Sequence, residues 1–300
     1  MQAVSIVSRG GAKLALRVFE PSGVAQASVV IAAAMGVRQG FYAPFAAWLA
    51  TQGLRVTTFD YRGSGASLPD TPQGGLRGFK ADLSDWVRDY EAVIDQAHAS
   101  LPEQPLYLVG HSLGGQLPGL LHNQHQVQGL LGIAAGSGYW RHTAPALKRK
   151  ALFFWYLLVP LTTVWFGYFA GRRLDAVGDL PQGVIWQWRR WCLNPSYSAG
   201  TEGAAARQNY ALVRFPVCSL AMMDDEMMTL HGTQVLLDLY RQAPRQIERI
   251  AAADFGARHI GHFGFFRQEF SQTLWPLALA RLLAFKDLGD LTQQLEHDKK

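Results

Sequence analysis

The chain opens with two short segments in which hydrophobic and polar residues alternate. They cover residues 3–7 and 13–19, and Gly10-Gly11 lies between them. Alternation with a period of two is typical of half-buried β-strands, and paired glycines between such segments indicate a tight turn. We therefore expect an antiparallel β-hairpin at the start of the chain.

Farther along, the strand-like segments are almost continuously apolar. The clearest are 29–34, 54–59, 106–109, 130–135 and 217–222. Runs of this kind are typical of strands that are buried on both faces of a parallel sheet. Helix-like segments alternate with them, one carrying Phe45, Ala46, Trp48 and Leu49 and ending at Gly53, and another covering roughly 79–100. This alternation predicts an α/β fold with a mostly parallel central sheet flanked by helices.

The alternation stops between the fourth and fifth of these apolar runs. The intervening stretch, 138–208, is long, rich in aromatic residues and helical in character. We interpret it as an inserted helical cap on a core formed by 1–137 and 209–286. The polar stretch that follows, 287–300, is expected to be a frayed tail.

One segment of the cap, 151–170, has no charged residue over twenty positions. That length only just suffices to cross a bilayer. Pro160 lies near its middle, and a proline inside a helix removes a hydrogen bond and disrupts the turn before it. We therefore expect two shorter helices broken at Pro160, with their apolar faces over the active site, and no transmembrane span.

The positive charge of the chain is concentrated in the same cap. The whole chain carries +5, whereas the segment 140–200 alone carries +6. No aromatic-plus-basic RNA-binding motif or recognition-helix pattern accompanies this charge, so a nucleic-acid partner is not expected. Basic residues around an apolar surface predict peripheral contact with an anionic membrane. The alternative is that Arg172, Arg173, Arg189 and Arg190 pair internally while the apolar run is buried on the core.

The two cysteines and the scattered acidic residues exclude several classes of site. Cys192 and Cys218 are at a spacing that fits neither a disulfide framework nor a zinc site, and no metal site is predicted. The first residues lack the basic stretch and long apolar run of a signal peptide, so we expect a cytoplasmic protein. The segment from Asp60 to Gly65 resembles a phosphate-binding loop, but Leu68 replaces its third glycine, and no cofactor is expected.

The most specific chemical signal is a Gly-x-Ser-x-Gly motif directly after an apolar strand. Ser112 lies between Gly110 and Gly114. This pattern is typical of a nucleophilic serine held on a sharp turn between a strand and a helix. A serine hydroxyl is a weak nucleophile that needs a base, and the base needs an orienting acid. In the order expected after Ser112, the chain offers Asp224 or Asp225 as the acid and His259 or His262 as the base.

Taken together, these motifs resemble the α/β-hydrolase superfamily. The similarity is greatest to its bacterial branch of predicted serine hydrolases, grouped with S33-type serine aminopeptidases. It rests on Ala34-Met35-Gly36-Val37, Asp60-Tyr61-Arg62-Gly63-Ser64-Gly65-Ala66-Ser67, Gly110-His111-Ser112-Leu113-Gly114-Gly115, Asp225 and Gly261-His262. The resemblance implies the α/β-hydrolase fold, and it specifies the fold far better than the substrate.

The resemblance also implies which candidates form the site. By the family's spacing, Asp225 is favoured over Asp224 as the acid, and the glycine-flanked His262 over His259 as the base. The backbone N–H groups of Leu113 and Val37 are implied as the oxyanion hole. His111 is expected to pack under the turn and not to act as a base.

These residues predict a serine hydrolase that forms an acyl-enzyme on Ser112. The aromatic cap favours a small apolar substrate with a carboxylic ester or related acyl bond. One alternative is an S33-like aminopeptidase or amidase, although 140–200 supplies only Asp175 and Asp179 to recognise an amine. Another is a non-catalytic binding protein with the hydrolase fold. The oligomeric state cannot be read from the sequence.

Overall fold

The protein is built on one eight-stranded β-sheet. The computed structural model describes residues 1–68 and 75–297, with side chains as far as residue 286. The strands are β1 (Gln2–Val7), β2 (Lys13–Phe19), β3 (Ala27–Ala32), β4 (Leu54–Phe59), β5 (Leu106–His111), β6 (Gly129–Ile133), β7 (Val217–Met222) and β8 (Arg245–Ile250).

The strand order in the sheet is β1-β2-β4-β3-β5-β6-β7-β8. β1 pairs antiparallel with β2, and β2 antiparallel with β4, so the predicted hairpin is confirmed. All the other pairs are parallel, from β4 and β3 across to β7 and β8. The prediction of a mostly parallel sheet is therefore also confirmed.

Helices cover both faces of this sheet. They are α1 (Ala43–Thr51), α2 (Leu83–Ser100), α3 (Leu113–Gln116), α4 (Pro145–Phe153), α5 (Val159–Phe166), α6 (Gln182–Leu193), α7 (Tyr197–Thr201), α8 (Gly203–Leu212), α9 (Leu230–Leu237) and α10 (Leu274–His297). Because of this cover, every residue of β3, β5, β6 and β7 is buried, as their apolar sequences predict.

Helix α2 begins four residues later than the sequence pattern predicts. Asp82 caps it by accepting a hydrogen bond from the N–H of Asp85, and the Asp85 side chain accepts one from the N–H of Asp82. This reciprocal pair satisfies backbone donors that a helix leaves open at its start. The N-terminal capping pair, and not the apolar periodicity, therefore sets the beginning of helix α2.

Strand β8 was not predicted, because its sequence is polar. Arg245, Glu248 and Arg249 lie in it, and most of its residues are exposed or half-buried. It nevertheless pairs in parallel with β7 over six residues and forms the edge of the sheet. Charged residues suit an edge strand, since they discourage pairing with other chains.

The proposed cap, 138–208, contains α4 to α7 and most of the chain between β6 and β7. The predicted break at Pro160 is wrong. A π-helical turn, Phe154–Leu158, joins α4 to α5, and the Val159 N–H donates to the Phe154 carbonyl. This shift of hydrogen bonding places Pro160 in the first turn of α5, where its missing N–H is tolerated.

Among the described residues, none of the helices is both long and apolar enough to cross a bilayer. The backbone of α10 is helical as far as His297. The side chains of 287–297 and all of 298–300 lie outside the described residues, so fraying of this tail stays a prediction.

Candidate active site

Ser112 occupies a sharp turn between β5 and α3. Its backbone angles, φ 51° and ψ −110°, are strained for a residue with a side chain. The turn is tight enough that a Cβ on Gly110 would lie 2.4 Å from the Gly115 Cα, and one on Gly114 would lie 2.2 Å from the Ala32 carbonyl oxygen. Both glycines are therefore required sterically, and they hold Ser112 at the carboxyl end of the sheet.

The structure brings His262 and Asp225 together. The Nδ1 atom of His262 lies 2.9 Å from Asp225 Oδ2 and 3.1 Å from Oδ1. Both side chains are only 2% exposed. Since a carboxylate oxygen accepts, His262 carries a proton on Nδ1, and its Nε2 remains the nitrogen that can accept a further proton.

The second pair of candidates forms an exposed copy of this arrangement. The Nδ1 atom of His259 lies 2.9 Å from Asp224 Oδ2, and its side chain is 56% exposed. Partial burial alone would raise the pKa of Asp224, but hydrogen bonds from the N–H groups of Ile260 and Gly261 lower it. A water-exposed pair interacts far more weakly than a buried one. The geometry therefore favours Asp225 and His262 over Asp224 and His259.

The Asp225 carboxylate is itself fixed by the backbone. Its Oδ1 accepts hydrogen bonds from the N–H groups of Met227 and Met228, each at 2.7 Å. These two donors lie in the turn that precedes α9. They leave Oδ2 directed at His262, so the orientation of the acid does not depend on the histidine.

Three consecutive carboxylates contact the loop that carries His262. Asp224 accepts from the N–H groups of Ile260 and Gly261 at 2.8 and 3.0 Å, and Glu226 accepts from the N–H of His262 at 3.0 Å. Sequence reasoning missed the role of Glu226, because a hydrogen bond between residues 36 apart leaves no periodic signal.

A buried relay joins His111 to both sides of the site. Burial, together with the neighbouring His262, lowers the pKa of His111 to about 3, so the ring is neutral. Its Nε2–H donates to the His262 carbonyl at 3.0 Å, and its Nδ1 accepts from the Tyr42 hydroxyl at 2.8 Å. The Tyr42 oxygen in turn accepts from the Ala34 N–H at 2.9 Å. Tyr42 was also missed, although it lies only five residues after the motif at 34–37, because its hydrogen bond to His111 joins residues 69 apart.

The turn that follows β3 holds the predicted oxyanion donor Val37. The Val37 N–H, however, donates to the Ala34 carbonyl at 3.1 Å. Gly36 in this turn has φ +72°, the left-handed conformation of the third position in a type II turn. Such a turn leaves the N–H of its second residue, Met35, outside its own hydrogen bond. The hydrogen bond inside the turn counts against Val37 as the second donor, and it does not use the Met35 N–H.

The proposed cap touches this same turn directly. A Cβ on Gly36 would lie 2.5 Å from the Gly178 backbone nitrogen, and one on Gly178 would lie 2.4 Å from the Gly36 carbonyl oxygen. Two glycines are needed for the backbones to approach so closely. Within 1–68 and 75–286, whose side chains the structure describes, no group of three or more acidic, histidine or cysteine side chains is placed to hold a metal ion.

The sequence of this chain is similar to a protein family and to individual relatives. Residues 23–251 match the family model described as serine aminopeptidase, S33. The monoacylglycerol lipase of Mycolicibacterium smegmatis is 32% identical over 111 residues, which are 37% of this chain and 38% of that protein. The monoglyceride lipase of Mus musculus is 30% identical over 112 residues, 37% of this chain and 35% of the relative. The matches thus span little more than a third of these relatives.

Solved structures show the same fold over nearly the whole chain. A soluble variant of monoglyceride lipase from Saccharomyces cerevisiae, solved with a substrate analogue, has a TM-score of 0.63 at 15% identity, covering 98% of this chain and 94% of that one. The monoacylglycerol lipase of Paleococcus ferrophilus has a TM-score of 0.57 at 16% identity, covering 95% and 100%. At such identities the likeness establishes the fold alone.

Proposed function

Because this chain belongs to the S33 serine aminopeptidase family of α/β-hydrolases, we propose that it is a serine hydrolase with Ser112, His262 and Asp225 as its catalytic residues. The observation that carries the proposal is the buried Asp225–His262 pair beside the strained turn of Ser112. His111, the residue before Ser112, has its ring centroid 5.2 Å from that of His262, so the turn and the base adjoin.

The proposed reaction begins when Ser112 Oγ attacks the carbonyl carbon of the substrate. His262 Nε2 takes the hydroxyl proton, and Asp225 stabilises the imidazolium that forms. The carbonyl electrons move onto oxygen, which the N–H groups of Leu113 and Met35 would bind. His262 then gives its proton to the leaving alcohol, leaving an acyl-enzyme, and water deprotonated by His262 releases the acid. Every step uses groups of the chain, so we propose that no cofactor takes part.

We propose a small lipid-like ester as the substrate. Two of the relatives are named monoacylglycerol lipase and monoglyceride lipase, and their names place their substrates in this class. The cap of this chain is also rich in aromatic side chains. Many of these pack on one another, as Trp155 does on Trp188 with ring centroids 5.1 Å apart. Trp155 and Val159 also belong to the same buried hydrophobic cluster as the strands of the sheet, so the cap is apolar where it meets the core. We also propose a cytoplasmic location, which rests on the sequence alone.

An aminopeptidase activity has less support. Recognition of a free α-amine needs a carboxylate that is available to it. Asp179 accepts from the Arg172 N–H, and Glu202 accepts from the side chains of Gln187 and Trp191. The remaining acid of the cap, Asp175, is exposed. The carboxylates of the cap that approach the interior are thus already engaged.

A panel of p-nitrophenyl esters of increasing chain length, with aminoacyl-p-nitroanilides for comparison, tests the proposal. We expect hydrolysis of the esters with a preference for medium or long acyl chains, and little cleavage of the anilides. Ser112→Ala should abolish turnover and labelling by a fluorophosphonate probe while leaving the circular dichroism spectrum unchanged. An unlabelled wild-type protein would support the non-catalytic alternative, and a labelled one that prefers anilides would support the aminopeptidase.

A further inference from the structure

The cap presents an exposed apolar face that the proposed chemistry does not use. The run from α4 through the π-helical turn to α5 buries Ala151, Trp155 and Val159 against the protein. Its opposite side exposes large apolar side chains by 46–83% of their area. There are seven such side chains, and Leu152 is one of them. We call the other six the docking face: Phe153, Tyr156, Leu157, Leu161, Val164 and Trp165.

The docking face is continuous along the helical run. Its members recur at intervals of three or four residues, which places them on one side of a helix. From Phe153 to Trp165 the run extends over about 18 Å at 1.5 Å per residue. Soluble monomers seldom leave a contiguous apolar surface of this kind without a partner. These six side chains face solvent, and the position of this segment over the active site stays a prediction.

Basic residues flank the docking face at both ends. Lys148, Arg149 and Lys150 are exposed where the run begins, and Arg172 and Arg173 are exposed beyond its end. No Asp or Glu occurs anywhere in 145–174. Internal pairing neutralises little of this charge: Arg172 lies 3.6 Å from Asp179, and Arg173 lies over the Phe166 ring at 5.1 Å.

We propose that this face docks on an anionic lipid bilayer, with the helical run parallel to the surface. An apolar strip bordered by cations matches the acyl region and anionic headgroups of such a surface. Tyr156 and Trp165 are of the residue types that favour the headgroup level. A second copy fits less well, since face-to-face contact would bring the five flanking cations of each chain together. None of the described helices could instead cross the bilayer.

Docking here would place the cap, and not the core, against the membrane. The same cap contacts the Gly36 turn beside the site through Gly178. Lipid esters could then reach the site from the surface on which the enzyme rests. This benefit rests on the proposed function, whereas membrane binding itself does not.

Vesicle flotation of the full chain tests the docking proposal. We expect binding to vesicles of phosphatidylcholine with phosphatidylglycerol, weak binding to phosphatidylcholine alone, and loss of binding as salt is raised. Val164→Asp with Trp165→Ser should weaken binding to the anionic vesicles at least tenfold, and so should Lys148→Ala with Lys150→Ala. The matched control is Val24→Asp, because Val24 is 89% exposed but lies between β2 and β3.

Hydrolysis of a soluble ester is measured in parallel, and the docking variants should retain it, so failure of docking and failure of the chemistry are separable. Equal binding to both vesicle types, or wild-type binding by the docking variants, would overturn the proposal. A wild-type dimer in light scattering that Val164→Asp converts to a monomer would overturn it too, in favour of a second copy.

A different observation, the three carboxylates around the His262 loop, carries a second inference. We infer that Asp224 and Glu226 are positioning residues for His262, an inference that rests on the proposed function. Gly261 has φ +63°, and a Cβ there would lie 2.6 Å from Glu226 Oε2 and 2.5 Å from His259 Nε2. The loop is thus packed tightly between Glu226, which accepts from the His262 N–H, and the His259 ring, which pairs with Asp224.

The backbone N–H of His262 donates to Glu226, and its carbonyl accepts from His111. Together with the Asp224 hydrogen bonds to Ile260 and Gly261, these contacts fix the backbone on which the imidazole is carried. The Asp225 bond then sets only the rotation of the ring. Because proton transfer depends on small displacements, loosening this backbone should affect turnover more than substrate binding.

Glu226→Ala and Glu226→Gln separate this role from a general structural one. Glutamine keeps a carbonyl oxygen that can accept from the His262 N–H, whereas alanine keeps no acceptor. We expect Glu226→Ala to lower kcat about tenfold without changing KM, and Glu226→Gln to restore most of kcat. A change confined to KM, an unchanged kcat in Glu226→Ala, or equal losses in both variants would overturn the inference. Asp224→Asn, which keeps one of its two acceptors, should show the same kcat-only pattern.

Discussion

Replacing Asp225 with asparagine provides a test of the site that the geometry makes unusually specific. Asp225 Oδ1 accepts two backbone N–H groups, from Met227 and Met228. In Asp225→Asn the amide oxygen must keep that position. The amide nitrogen then replaces Oδ2, 2.9 Å from His262 Nδ1. The amide oxygen stays 3.1 Å from Nδ1, but the shorter contact would set two N–H groups against each other. The variant therefore favours a proton on His262 Nε2, which can then no longer accept one from Ser112.

The size of this effect follows from the cost of turning the amide round. The opposite orientation would point the NH₂ group at two backbone N–H donors and leave them unsatisfied. Each unsatisfied buried group costs about 1–3 kcal/mol. The inactive tautomer is therefore held by roughly 2–6 kcal/mol, which is about 30-fold to 3 × 10⁴-fold at 1.36 kcal/mol per tenfold. Adding the lost negative charge, we expect kcat to fall by about 10³–10⁴.

The assay compares kcat for a soluble ester in wild type, Asp225→Asn and Asp225→Ala, with circular dichroism as the check on folding. Alanine imposes no tautomer on His262, so the asparagine variant should be no more active than the alanine variant. Asp224→Asn is the matched control and should lose far less. An Asp225→Asn enzyme within tenfold of wild type, or clearly better than Asp225→Ala, would refute this reasoning.

Other predictions concern the turn after β3, the buried relay and the serine turn. Proline suits the second position of a type II turn, so Met35→Pro should fold but lower kcat by about 10²–10³ through loss of one N–H, whereas Met35→Ala should stay near wild type. Because the pKa of His111 is lowered to about 3, the unfolded chain binds more protons below the ordinary value of 6.5. The unfolding free energy should therefore decrease as pH falls from 6.5 towards 3, and urea titrations should show a shallower decrease for His111→Gln. Gly114→Ala should abolish labelling of Ser112 by a fluorophosphonate or unfold the protein, since the added Cβ would lie 2.2 Å from the Ala32 carbonyl oxygen. Normal labelling together with normal stability would contradict this prediction.

The parts of the fold that the sequence predicts are those whose burial is uniform. β3 and β7 lie between layers of helices, so every position is buried and all but one serine in each strand are apolar. β8 cannot be recognised in this way, because an edge strand is held by backbone pairing to one neighbour while its side chains face solvent. Several of its residues are accordingly charged. The π-helical turn before Pro160 cannot be recognised in this way either, since a one-residue shift in hydrogen bonding hardly changes the apolar pattern.

The candidate site divides in the same way. The glycines around Ser112 are written in the sequence, because a tight turn admits few other residues. The relay through Tyr42 depends on a hydrogen bond between residues 69 apart, to His111, and no local pattern encodes it. Val37 shows the opposite failure: its position fits the expected loop, but the turn itself uses its N–H. Local sequence thus indicates the backbone shape near the site better than the assignment of individual donors.

Burial gives the physical reason why two neighbouring Asp–His pairs should differ in function. The Nδ1–carboxylate distance is 2.9 Å in both, so hydrogen-bond length does not distinguish them. The imidazolium formed during the proposed reaction gains from a carboxylate in proportion to the inverse of the local dielectric constant. Asp225 and His262 are 2% exposed, whereas His259 is 56% exposed and its interaction with Asp224 is screened by water. The inner pair can therefore stabilise a developing charge, and the outer carboxylate is left to hold the backbone that carries the base.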